Sequence, residues 1–336
     1  MKSMVCRHAG DPLILEERPR PSPASDEILI RTRACGICHG DLMAQAGAFP
    51  FVNFPIVLGH EITGTVEAVG AEVSSWRKGD RVGLSVLFLT CGKCKHCRAG
   101  NENLCAEWVW TGMMKDGGYQ EYLCAKAGYV VAIPETLDLA EAAPLLCAGV
   151  TVYSGLVHAG FAAGKKVAVI GTGGLGNLGV LLTRAMGGRI AVLSTKAQRQ
   201  EEARALGAEL FIDTTQENAG ERLRQWDGGA DLILATAPSV ESVNQAFGGL
   251  APDGTIVVLG VGPGNIEVNP VDLVMGRRRV LGSPAGSLKE LRECMELAAK
   301  HNIRPKIHKV PIEGAEEALR EMQSGHKNGR AVLAMG

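Results

Sequence analysis

Lys165-Lys166-Val167-Ala168-Val169-Ile170-Gly171-Thr172-Gly173-Gly174-Leu175-Gly176 is the stretch on which the fold turns. Its first half is a short apolar run suited to a fully buried strand. Its second half fits G-x-G-x-x-G at the point where a helical run to Met186 begins. Glycines there let the backbone turn tightly and approach a pyrophosphate, which the free N–H groups at a helix start stabilise. A plain strand-to-helix turn uses the same glycines, but the flanking strand and helix are what dinucleotide binding requires.

Outward from this turn the unit repeats. Residues 189–193 read as a strand and 198–206 as a helix ended by Gly207, with further strands expected at 210–212, 232–234 and 255–259. Such alternation predicts a doubly wound parallel sheet covered on both faces. Before residue 151 the texture differs. Residues 27–33 and 62–70 alternate in the manner of half-buried strands, and Gly79-Asp80 turns into another. After residue 285 it is mixed, with helices near 288–301 and 313–324 and a last strand at 331–334. The expected divisions are 1–150, 151–285 and 286–336.

With 336 residues the chain has room for two or three domains, and an apolar fraction of 46% fills their cores, which excludes disorder. Thirty-five basic against thirty-six acidic residues leave a formal charge of −1, so the basic field of a nucleic-acid binder is missing. No run of 18 residues is apolar and free of Gly and charge, which argues against a membrane span. The opening Met1-Lys2-Ser3-Met4-Val5-Cys6 has no apolar leader core, so the expected location is cytoplasmic. Thiols stay reduced there, and the ten cysteines read better as metal ligands or reactive groups than as disulfides.

The end of the second strand in such a unit selects the cofactor. An acid there binds the ribose 2′-hydroxyl of NAD(H) and repels a 2′-phosphate. Here the strand ends Ser194-Thr195-Lys196, with Arg199 one turn on: two hydroxyls, two cations and no acid. That set suits a phosphate dianion and favours NADP(H) over NAD(H), the alternative being that Lys196 and Arg199 are solvated residues at a helix start.

Cys91-x2-Cys94-x2-Cys97-x7-Cys105 places four thiols within fifteen residues, enough for a closed tetrahedral zinc site, with Lys93, Lys95 and Arg98 to offset its charge. An iron–sulfur run begins with the same C-x2-C-x2-C, but takes its fourth Cys three residues on and follows it with Pro. Three further pieces are ordinary one by one: Cys38-His39, Gly59-His60-Glu61 and Cys147. Together they supply a Cys₂His set that leaves zinc one open position for substrate.

In order and spacing, Cys35-Gly36-Ile37-Cys38-His39-Gly40-Asp41, Gly59-His60-Glu61, the four-cysteine loop and Gly171–Gly176 resemble the zinc-dependent alcohol dehydrogenases of the medium-chain dehydrogenase/reductase superfamily. The resemblance covers nearly the whole chain and is nearest the NADPH-dependent cinnamyl-alcohol-dehydrogenase-like branch. It implies an α/β fold: a GroES-like, partly open β-barrel catalytic domain (1–150), a Rossmann domain (151–285), and a C-terminal return to the first (286–336). It implies Cys38, His60 and Cys147 as catalytic zinc ligands, Glu61 as a carboxylate that can approach the metal, and Asp41 as the carboxylate orienting the histidine. Cys91, Cys94, Cys97 and Cys105 match the structural zinc set. Arg330 and His39 match groups near the cofactor pyrophosphate, and Thr151 joins Gly171, Gly173, Gly174, Leu175, Gly176, Ser194, Thr195, Lys196 and Arg199 as cofactor-binding.

Two positions depart from the family. After Cys38-His39 a Ser or Thr usually starts a proton relay, and here it is Gly40; three residues later a His commonly ends it, and here it is Met43. The implied reaction is reversible reduction of an aldehyde or ketone to an alcohol, with zinc polarising the carbonyl and NADPH supplying hydride. Its proton is then expected to travel through water, cofactor hydroxyls or His39. Phe49, Leu87 and Trp110 are candidate linings of the substrate site. The rival readings are a carbon–carbon double-bond reductase, against which both complete ligand sets argue, and an NADPH-binding protein with weak catalysis. The expected partners are a small-molecule substrate and further copies of the chain, as a homodimer or homotetramer joined at the sheet edge near 255–261, with no nucleic acid and no membrane.

Overall fold

Val167, Ala168 and Val169 have no exposed surface, as a strand covered on both faces requires. The computed structural model describes residues 1–324 and 329–336, and these divide into two units: Met1–Cys147 with Ser287–Gly336, and Ala148–Gly286. In the second unit the strand Lys166–Ile170 lies inside a parallel sheet. Spatially, Leu210–Asp213, Arg189–Ser194, Lys166–Ile170, Ala230–Ala235, Leu250–Val258 and Arg279–Gly282 follow one another. The chain builds outward on one side of Lys166–Ile170 and then returns to build on the other. That reversal is the doubly wound order, and it opens a crevice at the carboxyl ends of the two diverging strands. Ala168, Ile170, Ala191, Leu193, Ile233 and Ile256 share one buried cluster with Phe247 and Val243.

Two expectations for this unit are corrected. The strand expected at 255–259 starts at Leu250 and is paired on both sides, so 255–261 is not the sheet edge. The edge on that side is Arg279–Gly282, whose short, largely exposed run carries too little apolar signal to announce a strand. The helix expected at 198–206 opens with a tight turn at Ala197–Arg199 before the α-helix Gln200–Leu206.

In the first unit the strand Glu27–Gly36 is the spine. It pairs along its length with Ile62–Val69 on one edge. On the other edge it pairs first with Tyr122–Lys126 and then with Arg330–Ala334. The sheet continues from Ile62–Val69 to Arg81–Leu84 and Val130–Ala132, and from Arg330–Ala334 to Ile307–Pro311. Ile28, Ile30, Ile62, Val66, Val82, Leu84 and Leu123 form its interior at alternate positions, because side chains two apart share a face. This curled sheet with an apolar inside is the GroES-like barrel. A hairpin of Leu87–Leu89 and Val109–Trp110 carries the four-cysteine loop, and the helix Leu288–Lys300 begins with a Ser287–Glu290 capping box. Among the described residues no single helix is long and apolar enough to cross a membrane.

Candidate active site

The helix His39–Gln45 starts immediately after Cys38, and Asp41 in its first turn accepts the Cys38 N–H at 2.9 Å. That contact fixes Cys38 at the mouth of the helix. His60 follows Gly59, whose φ of +98° bends the chain after the buried Val57 and Leu58. Cys147 ends the tight turn Ala143–Leu146. The structure brings Cys38, His60, Glu61 and Cys147 together, with one donor atom of each within 4.8 Å of all the others and the two sulfurs 3.9 Å apart. Two thiols, an imidazole and a carboxylate are donors that zinc accepts, and three of them leave a tetrahedral ion one open position. Burial opposes charge on His60, but the Asp41 carboxylate and Cys38 hold its pKa well above the usual range. The Cys147 contact is the largest of the influences that hold the Cys38 thiol well below its ordinary value, with His60 adding to it.

Asp41 is saturated with donors. Its Oδ1 meets His60 Nδ1 at 2.9 Å and accepts the Gly59 N–H at 3.2 Å, while its Oδ2 accepts the Cys38 N–H and the Tyr119 hydroxyl, the latter at 2.9 Å. With Nδ1 so engaged, Nε2 is the nitrogen left for a metal. Tyr119 escaped sequence reading. The preceding pair Gly117-Gly118 signals a close backbone approach, without showing to what. Burial, and then Asp41, push the Tyr119 hydroxyl well above its ordinary pKa, so it stays protonated and donates.

Glu61 is fully buried, and Arg330 donates to its Oε1 at 2.5 Å and to the Ile37 carbonyl at 2.9 Å. Burial pushes the Glu61 carboxyl up to about 7, against the pull of Arg330. Glu61 Oε2 and Arg330 Nε have no hydrogen-bond partner among the described residues. Two orphaned buried polar atoms beside the thiols are what a site made for further ligands presents.

Cys91, Cys94, Cys97 and Cys105 also converge within 4.8 Å, with sulfur separations of 3.5 Å (Cys94–Cys97 and Cys91–Cys105) and 3.9 Å (Cys91–Cys97). Thiolates about 2.3 Å from a tetrahedral zinc stand roughly 3.8 Å apart, so the set fits. Backbone N–H groups already point at the sulfurs: Cys97 to Cys94, and Cys91 and Glu107 to Cys105. The backbone N–H groups of Lys93 and Cys94 lower the Cys91 thiol to about 7. The remaining thiols behave differently. Burial raises Cys6 and Cys124 to about 11 and Cys294 to about 12.

In the other unit, Gly171 has φ +97°. A Cβ on Gly176 would stand 2.0 Å from the Gly171 carbonyl oxygen, whereas a Cβ on Gly173 would meet nothing within 4 Å. The first glycine makes the turn, the third lets the helix close on it, and the second leaves an open face. That is the division of labour a pyrophosphate cradle needs. Gly174 and Leu175 open the helix Gly174–Ala185, whose start has no side-chain cap, so its N–H groups are left for an anion.

At the end of Arg189–Ser194, the Ser194 hydroxyl accepts the Lys196 N–H at 3.1 Å and lies 3.3 Å from that of Thr172. Thr195 and Lys196 are exposed, while Arg199 is paired with Glu202 at 2.9 Å. Thr151 is buried in the first turn of Ala148–His158, and His39 is exposed.

In the same unit, as the first cluster, Phe49 and Phe51 stack at 5.3 Å, Trp108 and Trp110 at 4.2 Å, and Phe51 meets both tryptophans edge-on. The Asn53 N–H donates to the Met113 carbonyl, and the Met113 methyl is 3.7 Å from where a Gly40 Cβ would be. That Cβ would stand 3.2 Å from His60 Cε1. Phe49, Phe51 and Trp110 pack against the same apolar cluster that holds Met113. Leu87 is buried in the interior instead.

Residues 24–135 match the family described as alcohol dehydrogenase GroES-like domain, and residues 174–300 match that of zinc-binding dehydrogenase. The chain is 36% identical to an alcohol dehydrogenase of Geobacillus stearothermophilus over 334 residues, 99% of each protein. It is also 36% identical to the NADP-dependent alcohol dehydrogenase C of Mycobacterium tuberculosis, covering 97% of this chain and 95% of that protein. A solved cinnamyl alcohol dehydrogenase from Sorghum bicolor superposes with a TM-score of 0.89 at 29% identity, covering 99% of this chain and 97% of that one.

Proposed function

The chain belongs to the zinc-dependent alcohol dehydrogenases of the medium-chain dehydrogenase/reductase superfamily, enzymes that interconvert alcohols and carbonyl compounds, and from that premise we propose an NADP(H)-preferring reductase of aryl-bearing aldehydes or ketones. One observation carries the reading: sulfur, nitrogen and oxygen donors of Cys38, His60, Cys147 and Glu61 converge. We assign Cys38, His60 and Cys147 to a catalytic zinc with Glu61 beside it, and the four-cysteine set to a structural zinc. Bound zinc supplies the Lewis acidity that polarises the carbonyl, and the nicotinamide supplies hydride.

The chain's own contribution is position. Asp41 holds the His60 Nδ1 proton and so presents Nε2 outward, and Arg330 holds the Glu61 carboxylate. Gly40 and Met43 offer no hydroxyl or imidazole, so the proton that the product oxygen takes up comes from water or a cofactor hydroxyl, with the exposed His39 imidazole as the chain's own proton donor. Preference for NADP(H) is supported by a second strand that ends in Ser194-Thr195-Lys196 with no carboxylate. The four rings of Phe49, Phe51, Trp108 and Trp110 support an aryl substrate, because aromatic faces attract one another beyond simple area burial.

Association of copies is supported by the open edge of Arg279–Gly282 and by Val271, Val274 and Met275, exposed on one face of Pro270–Gly276.

Metal analysis with NADPH oxidation tests the reading. One zinc per donor group is expected, with aryl-aldehyde turnover by NADPH about ten-fold or more above that by NADH. Turnover confined to the double bond of an enone would overturn it.

A further inference from the structure

Tyr119 is completely buried, and its hydroxyl donates to Asp41 Oδ2 at 2.9 Å. Its backbone is locked to the segment that delivers His60. The Tyr119 N–H donates to the Leu58 carbonyl at 3.0 Å and the Gly118 N–H to the Gly59 carbonyl at 2.9 Å. Its ring lies against Gly59 so closely that a Cβ there would be 2.5 Å from Tyr119 Cδ1. The backbone beside His60 and the carboxylate that holds His60 are thus both gripped by one residue.

We propose that Tyr119 is a positioning residue for the catalytic metal site, holding Asp41 so that His60 Nε2 stays turned toward the Cys38 and Cys147 sulfurs. The proposal rests on the assignment of a catalytic zinc to Cys38, His60 and Cys147. Asp41 Oδ2 is held by two donors, the Cys38 N–H and the Tyr119 hydroxyl. Without the phenol only the Cys38 N–H remains on that oxygen, and the carboxylate is held less firmly against the plane that sets its hydrogen bond to His60. The phenyl ring alone fills the same space, so packing and orientation can be separated by a single oxygen atom.

The test is zinc release to a chromogenic chelator from the purified zinc-loaded protein, wild type against Tyr119→Phe and Tyr119→Leu. A partner that meets a metal ligand directly, as Asp41 meets His60, is worth about 10- to 100-fold in metal affinity, and a group holding that partner is expected at the lower end, about ten-fold. Tyr119→Phe is therefore expected to speed loss of one zinc by that order and leave the other unchanged, with the melting temperature of the metal-free protein kept. Equal release from Tyr119→Phe and wild type, with only Tyr119→Leu affected, would reduce Tyr119 to a packing residue and overturn the proposal alone. A wild type that holds zinc only at the four-cysteine set would overturn the underlying assignment as well. A Cys38→Ser variant identifies which release phase belongs to which site.

Discussion

Arg330 and Glu61 form a buried ion pair, 2.5 Å between Nη2 and Oε1, in which the arginine also donates to the Ile37 carbonyl. Gly36 makes room for the pair, because Glu61 Oε2 lies 1.9 Å from where a Cβ on that residue would stand.

Breaking this pair from one side strands a buried charge. Glu61→Gln leaves the arginine's charge buried and unable to neutralise, and is expected to destabilise the metal-free protein by about 3–5 kcal/mol, read from chemical denaturation. The double variant Arg330→Met, Glu61→Gln is expected to regain a large part of that loss. Additive losses in the double variant would mean that the two side chains do not act as a pair.

Two neighbouring glycines should respond in opposite ways. A Cβ at Gly176 meets backbone at 2.0 Å, so Gly176→Ala should cost about 1–3 kcal/mol of stability and cofactor affinity with it. A Cβ at Gly173 meets nothing, so Gly173→Ala should melt as wild type while NADPH binding weakens by about ten-fold, or roughly 1.4 kcal/mol. Thermal melting beside cofactor titration separates the two, and unaltered NADPH affinity in Gly173→Ala would remove the cradle from that face.

Cofactor choice should hinge on the end of the second strand. Ser194→Asp places a carboxylate where a 2′-phosphate is expected, and like charges so placed cost several kcal/mol. The ratio of kcat/KM for NADPH to that for NADH is expected to fall by about 100-fold. An unchanged ratio would locate the preference elsewhere, with Lys196 and Arg199 as the next positions to replace.

The thiols should separate by pH in the metal-free protein. Cys91, lowered to about 7, is protonated below that pH and becomes a thiolate above it, so its alkylation should accelerate through neutrality. Cys6 and Cys124 at about 11, and Cys294 at about 12, stay protonated and slow over the same range. Peptide mapping after timed alkylation reads both classes. A Cys91 midpoint near that of a free thiol, about 8.5, would contradict the backbone donors assigned to it.

How much of this was legible in the sequence depends on how far apart the cooperating residues lie. The glycine turn and the four-cysteine loop are contiguous, and their meaning is local: a strand, a turn, a helix start, a set of spacings. The alternation of Ile28 with Ile30 likewise predicts a barrel wall from neighbours two residues apart. Tyr119 and Asp41 are 78 residues apart and meet only because the loop of Tyr119 is hydrogen-bonded to Leu58 and Gly59, on which the helix of Asp41 also rests, and no pattern in any of the three encodes that. The cluster of Phe51 with Trp108 is hidden for the same reason. At the sheet edge, Arg279–Gly282 carries exposed residues on a short strand, and the stronger apolar run beginning at Thr255 draws attention to an interior strand instead.

The strand Arg330–Ala334 completes the wall begun by Glu27–Gly36 and brings Arg330 to Glu61 from 269 residues away. During synthesis, the ribosome must therefore translate the entire dinucleotide-binding unit before the other unit can close. Until then the nascent chain carries an open seam along its spine and a carboxylate without its cation. For this unit, closure waits on a strand made only after the other unit is complete.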